Sequence, residues 1–383
     1  MNLTHTASFV EWMENDELQR AVWHSENGAP APKRIVIAND ATPADVAYRL
    51  ACEGTALLWR GDYQNARQLL QALTRRIDKR PKKSKTDIDA KTAFHLHRQA
   101  QAQRARILGM LLLPLNGDFS IPLRRAPDVS EACQQAYGAR HDGQTTLVSL
   151  REILGVIGAH QWRTKGVEIN ALGGRIHPYY GVFSPVRGEY IDLVAQAKLP
   201  STELAFDIGT GTGVLAVLLA QKGVQRIVAT DMSLNALACA AENIHRFALN
   251  PSIELKHTDL FPEGRAPLIV CNPPWLPARP NAAIEFALYD DNSQMLKGFL
   301  NGLSAHLTVD GEAFLILSDL AEHLALRSRA ELLSWFVEAG VEVIARHDAR
   351  PQHAKAFDKN DPLHLARSKE VTSLWRLRLV DAP

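Results

Sequence analysis

Leu204-Ala-Phe-Asp207-Ile-Gly209-Thr210-Gly211-Thr-Gly213 is an apolar run that ends in an acidic residue and then alternates glycine with threonine. It leads straight into the apolar stretch Val214–Lys222. Five residues rich in β-formers followed by a glycine turn and a helix-length apolar run read as strand, turn and helix. Around it the pattern repeats. Arg226–Asp231 (RIVATD) is a second predicted strand, followed by an Ala-rich helix over Leu234–Phe247. Ser252–Asp259 and Ala266–Trp275 are predicted as the third and fourth strands. A helix over Ser293–Leu307 leads to the strand Glu312–Asp319, and a helix over Arg329–Ala339 leads to Val341–Asp348. Ser373–Val380 closes the series. Strands alternating with helices over about 180 residues predict an α/β fold, a doubly wound, mostly parallel, seven-stranded Rossmann-like sheet.

The first half is a smaller α/β region. Phe9–Trp23 reads as a helix; Arg34–Ala38 and Thr55–Trp59 read as strands, with helices over Pro43–Cys52 and Tyr63–Ile77 between and after them. Helices are also predicted at Ser130–Tyr137 and Leu147–His160. Length supports two domains at roughly 150 residues each. The expected division is residues 1–166, a substrate-docking α/β domain and candidate relic of a duplicated catalytic fold, and residues 167–383.

Composition narrows the classes. With 46% hydrophobic and 22% charged residues the chain can bury a core and is not disordered. Lys+Arg number 43 against 42 Asp+Glu, so the chain as a whole is no polycation. The charge is uneven, however, with 25 against 19 in residues 1–190 and 18 against 23 in the rest. Arg75–Arg106 is the most basic segment, 11 Lys/Arg against 3 Asp/Glu, and could follow a phosphate backbone or be a solvated face. The longest apolar runs, Ile107–Leu115 and Val214–Ala220, are too short to span a bilayer, and the acidic start lacks an export leader, so a cytoplasmic protein is expected. Cys52, Cys133, Cys239 and Cys271 are scattered, and His347, His353 and His364 lack ligand spacing, so no metal is expected.

The glycine turn lies where such sheets bind nucleotides. It does not carry the dinucleotide spacing, since Val214 stands where a small residue is required. No Gly-Lys-Ser/Thr follows, which excludes a Walker phosphate loop. After the fourth strand comes Asn272-Pro273-Pro274-Trp275. Prolines alone could end a strand, but that does not account for the asparagine before them or the aromatic after them.

Together, FDIGTGTG and NPPW resemble the class I S-adenosylmethionine-dependent methyltransferases that act on nitrogens conjugated to a planar system. The nearest groups in pattern are the ribosomal RNA guanine-N2 and protein glutamine-N5 methyltransferases. The resemblance covers roughly Arg175 to Val380 and implies S-adenosyl-L-methionine as cofactor. It assigns Asp207, Gly209, Thr210, Gly211 and Gly213 to the methionine and ribose region. Asp231 with Met232 falls to the ribose hydroxyls, Asp259 with Leu260 to the adenine edge. Tyr179–Tyr190 (YYGVFSPVRGEY) resembles the segment covering the cofactor, which adds Phe183; the expected arginine is displaced to Arg187 and the later Glu is Tyr190. Asn272, Pro273, Pro274 and Trp275 are the implied catalytic tetrad, with Asn272 also facing the cofactor. Asn272 Oδ1 and the Pro273 carbonyl would accept N–H bonds and aim the nitrogen lone pair, and Trp275 would stack on the planar group. The implied acceptor is a base in RNA, or alternatively a protein glutamine. A non-catalytic binding protein on the same fold is the third reading. Asp290-Asp291, soon after the tetrad, could line the acceptor pocket but is expected on a solvated loop.

Overall fold

The computed structural model describes residues 8–79, 88–138, 143–186, 188–249, 252–280, 285, 287–351, 358, 359 and 361–380. The described residues of Met1–Ile88 and His95–Gln161 form one compact unit, and those of Asp89–Phe94 and Trp162–Pro383 form a second.

The first unit is built on six strands: β1 (Phe9–Glu14), β2 (Glu17–Trp23), β3 (Arg34–Ala38), β4 (Thr55–Trp59), β5 (Leu111–Leu115) and β6 (Thr146–Ser149). They lie in the order β1-β2-β6-β5-β4-β3. The expected N-terminal helix over Phe9–Trp23 is instead the antiparallel hairpin β1–β2. Val10 and Trp12 are buried while Phe9 and Glu11 are exposed, a period of two. Asn15 and Asp16 take φ of 54° and 65°, the left-handed pair that a two-residue hairpin turn requires. The expected helix at Leu147–His160 also begins differently. Thr146–Ser149 pairs with β5 before the helix Leu150–Lys165 starts.

The second unit opens with the small antiparallel pair β7 (Val167–Ile169) and β8 (Gly174–Ile176). Its main sheet holds β9 (Leu204–Ile208), β10 (Arg226–Asp231), β11 (Ile253–His257), β12 (Ala266–Cys271), β13 (Leu307–Ser318), β14 (Val341–Ala349) and β15 (Thr372–Leu379). The order is β11-β10-β9-β12-β13-β15-β14, with β15 antiparallel to both its neighbours. This is the α/β sheet the sequence predicts. One face packs the helices Glu189–Gln196, Val214–Gln221 and Leu234–Arg246, and the other packs Gln294–His306 and Arg329–Glu338. Phe206, Phe299, Phe314 and Phe336 are fully buried there, each worth roughly 1.5–3 kcal/mol by area.

Chain direction across the sheet reverses at β9. Its partner on one side is the next strand in sequence, β10, and on the other is β12. Register is the fact that positions the site: Ile208 pairs with Thr230 on one side and with Cys271 on the other. Gly209 and Asn272, which leave the sheet next, and Asp231, the last residue of β10, therefore lie side by side at the carboxyl end of the strands, at the switch point.

Candidate active site

The glycine turn is shaped by backbone needs. Gly209, Gly211 and Gly213 have φ of 71°, 55° and 79°, a region that costs an L-residue about 1–2 kcal/mol. A Cβ on Gly213 would lie 3.2 Å from Ala240 Cα, and one on Gly209 would lie 2.9 Å from Met295 Cε. At Gly211 it would meet nothing within 4 Å. So two of the glycines allow packing and the middle one faces open space.

Asp207 is buried, and its carboxylate accepts from Thr210 Oγ1 at 2.7 Å and from the Ala216 amide. Burial pushes it up to about 6 despite those bonds, with the Asp231 charge adding to the effect. It braces the turn from below. Thr210 N donates to Thr230 O at 2.8 Å, tying the turn to β10. Asp231 spreads its carboxylate along the turn: Oδ2 accepts from Gly211 N at 3.0 Å and Oδ1 from Ser233 N at 2.8 Å. Burial raises its pKa, partly offset by those N–H groups. The Met232 N–H adds a third backbone bond, and because a carboxylate offers about four lone-pair positions, capacity for a ligand hydroxyl remains. Met232 beside it is 67% exposed, an apolar side chain left uncovered by the protein itself. Asp259 is exposed; Leu260 has φ of 57°, and its carbonyl accepts from Thr230 Oγ1 at 2.6 Å. The open space at Gly211, the two-pronged Asp231 and the bare Met232 fit a ribose and an adenine.

On the other side of β9, Asn272 and Trp275 are half-buried and Pro273 is buried. Trp275 Nε1 donates to Asn272 Oδ1 at 2.9 Å. An indole nitrogen can only donate, so this bond fixes which end of the Asn272 amide is oxygen. The tetrad thus holds its own asparagine in one orientation. Trp275 packs against the buried clusters on both faces of the sheet. Phe183 is half-buried, and the buried Ser184 Oγ next to it has no hydrogen-bond partner among the described residues. Arg187 lies outside the described residues.

Two residues read differently in the fold. Asp290 is not on a solvated loop: it is 8% exposed and accepts from Met295 N at 3.0 Å and Leu296 N at 3.1 Å, capping the helix Gln294–His306. Leu276, directly after Trp275, bridges to Tyr289, so this capped aspartate anchors the loop that begins at the tetrad. Arg327, not singled out from the sequence, is 3% exposed, and its Nε and Nη2 have no partner among the described residues. Nothing in local pattern marks it, because burial of an arginine is a tertiary property. Among the described residues no group of three or more His, Cys, Asp or Glu side chains is placed to hold a metal.

Residues 191–273, from the helix before the glycine turn to the tetrad's first proline, match the family described as ribosomal protein L11 methyltransferase (PrmA). Over this stretch the chain is similar to methyltransferases. It is 35% identical over 144 residues to the release factor glutamine methyltransferase of Cereibacter sphaeroides, covering 34% of this chain and 51% of that protein. It is 27% identical over 180 residues to a putative protein N5-glutamine methyltransferase of Methanocaldococcus jannaschii, covering 45% of this chain and 89% of that one. With the tRNA1(Val) (adenine(37)-N6)-methyltransferase of Vibrio parahaemolyticus it shares 36% identity over 95 residues, 24% of this chain and 40% of that protein. The chain thus spans about half the length of the first of these relatives. No helix among the described residues is long and apolar enough to cross a membrane.

Proposed function

We propose that this protein is an S-adenosylmethionine-dependent N-methyltransferase whose acceptor is a planar nitrogen of an RNA base. The observation that carries the reading is the placement of Asn272: it leaves β12 in register with Gly209 leaving β9, with Oδ1 pinned by Trp275. Asp231 would hold the ribose hydroxyls, the backbone around Gly209–Gly213 would border the methionine portion, and Met232 and Leu260 would flank the adenine near Asp259. The cofactor supplies an electrophilic methyl on a sulfonium.

An exocyclic amine or amide nitrogen is a poor nucleophile because its lone pair is delocalised. The remaining lone pair of Asn272 Oδ1 and the Pro273 carbonyl can each accept one of its N–H bonds, pointing the nitrogen lone pair at the methyl group. Alignment of this kind can account for a large part of a rate enhancement. Trp275 offers a face for the planar group, worth about 1–3 kcal/mol for a base. No base is needed beforehand, since the nitrogen sheds its proton after it becomes cationic.

RNA is favoured by the basic segment, where Arg75, Lys79 and Arg106 of the first unit and Lys91 of the second are exposed; residues 80–87 of it lie outside the described residues. A protein glutamine is the second reading, supported by the names of the first two relatives. Tritiated S-adenosylmethionine incubated with a lysate from cells lacking the protein separates them. Label released by nuclease supports the RNA acceptor; label released only by protease assigns glutamine instead.

A further inference from the structure

Resting on that cofactor reading, we infer that Asn243 is a positioning residue that couples occupancy of the glycine turn to the covering segment His177–Val182. Asn243 lies on the helix Leu234–Arg246 and is fully buried. Its Oδ1 accepts from His177 N at 2.8 Å. Its Nδ2 donates to Thr212 O at 3.0 Å, inside the glycine turn, and lies 3.3 Å from His177 O. One rigid amide therefore joins the turn and the covering segment, using both of its ends. The same helix tightens the link: Cys239 Sγ lies 3.5 Å from His177 O, Asn235 Nδ2 donates to Tyr180 O at 2.8 Å, and Tyr179 Oη donates to Glu242 at 2.6 Å. Ala240, against which Gly213 packs, is on this helix as well.

A planar amide has no slack. If a ligand shifts or stiffens the turn, Thr212 O moves relative to the Asn243 Nδ2, and the amide can keep all its bonds only if His177 follows. Losing one of them leaves a buried polar group unsatisfied, so the two segments share their ordered arrangement. Binding on the turn then fixes His177–Val182, the segment directly before Phe183, and an ordered segment strengthens binding on the turn.

The measurement is a double-mutant cycle in S-adenosylhomocysteine affinity, read by calorimetry on the full chain. Asn243→Asp keeps the acceptor toward His177 N but turns an oxygen on Thr212 O; it is expected to weaken binding at least tenfold. Asn235→Ala, which frees Tyr180 O, should cost about threefold in the unmodified chain and less than 1.5-fold in the Asn243→Asp background. Costs that simply multiply overturn the coupling, because a merely structural asparagine predicts independence. Should Asn243→Asp fail to fold, hydrogen exchange of the unmodified chain decides: saturating S-adenosylhomocysteine is expected to slow the His177–Val182 amides at least fivefold, and unchanged exchange overturns the inference. No binding heat at all in the unmodified chain would instead remove the cofactor reading itself.

Discussion

Both units carry strands that end in aspartates, yet they use them in opposite ways. In the first, Asp40 Oδ1 accepts from Asp62 N at 3.0 Å and from Asn65 Nδ2 at 3.0 Å. Asp62 itself accepts from Gln64 N, Arg124 Nε and Arg125 Nε and is 1% exposed. Gly61 between them sits so tightly that a Cβ would lie 2.5 Å from Asp40 Oδ1. In the second unit Asp231 accepts from the backbone N–H groups of Gly211, Ser233 and Met232, and Gly211 borders open space. An acidic strand end thus means little alone: two guanidinium groups close on Asp62, whereas Asp231 lies beside the open side of Gly211. The strand orders differ as well. From β3 to β6 the first sheet advances steadily in one direction, whereas the order of the second reverses at β9, the kind of switch point where open α/β sheets bind ligands.

The contrast can be tested from its strongest consequence downward. Asn272→Ala should lower methyl transfer at least a hundredfold while S-adenosylhomocysteine affinity stays within threefold; parallel loss of both would deny the alignment role. Asp231→Ala should weaken that affinity at least tenfold, while Asp62→Ala should leave it unchanged and lower the thermal midpoint. Equal effects on affinity would erase the distinction between open and closed strand ends. Gly211→Ala puts a Cβ into the open space beside Asp231 and should raise the dissociation constant roughly fivefold, whereas Gly61→Ala should affect stability only; calorimetry and thermal melts of the pair settle it. Trp275→Phe keeps the ring but frees Asn272 Oδ1, and kcat should fall about threefold with little change in cofactor affinity.

Acid titration gives the smallest effect. The Arg125 guanidinium, with the Gln64 amide and Arg124, holds Asp62 at about 2 against the usual 3.8, outweighing the opposing effect of burial. Because the folded value is depressed, its contribution is fully present above pH 4 and fades as the pH falls through 2. Asp62→Asn should flatten that part of the stability curve, measured by urea unfolding between pH 2 and 5.

Much of the second unit was legible because glycine spacing and alternating apolar runs are local signals. The turn at Gly209–Gly213 could be read from residue type alone, whereas the tetrad at Asn272 was singled out by resemblance. The hairpin Phe9–Trp23 was misread because Phe9, Val10, Trp12 and Met13 also suit a helical stripe; the decisive sign, Asn15-Asp16 as a left-handed turn pair, lay between them. Strand β5 went unrecognised in an apolar run whose Pro114 argues against an interior strand, although it pairs with Leu147. Asp290 and Asn243 could not be found from spacing, since their partners lie five to 66 residues away and only the fold brings them together.

The four thiols carry a practical corollary. Cys133, Cys239 and Cys271 are buried, and burial pushes the first two up to about 12; Cys52 is the one with partial exposure. A maleimide dye should therefore mark the native chain at one place, in the first unit and away from the crevice by sequence, without any residue being engineered. Burial likewise shields Cys271, directly before Asn272, so mild oxidants should leave that thiol unmodified when a reductant is omitted.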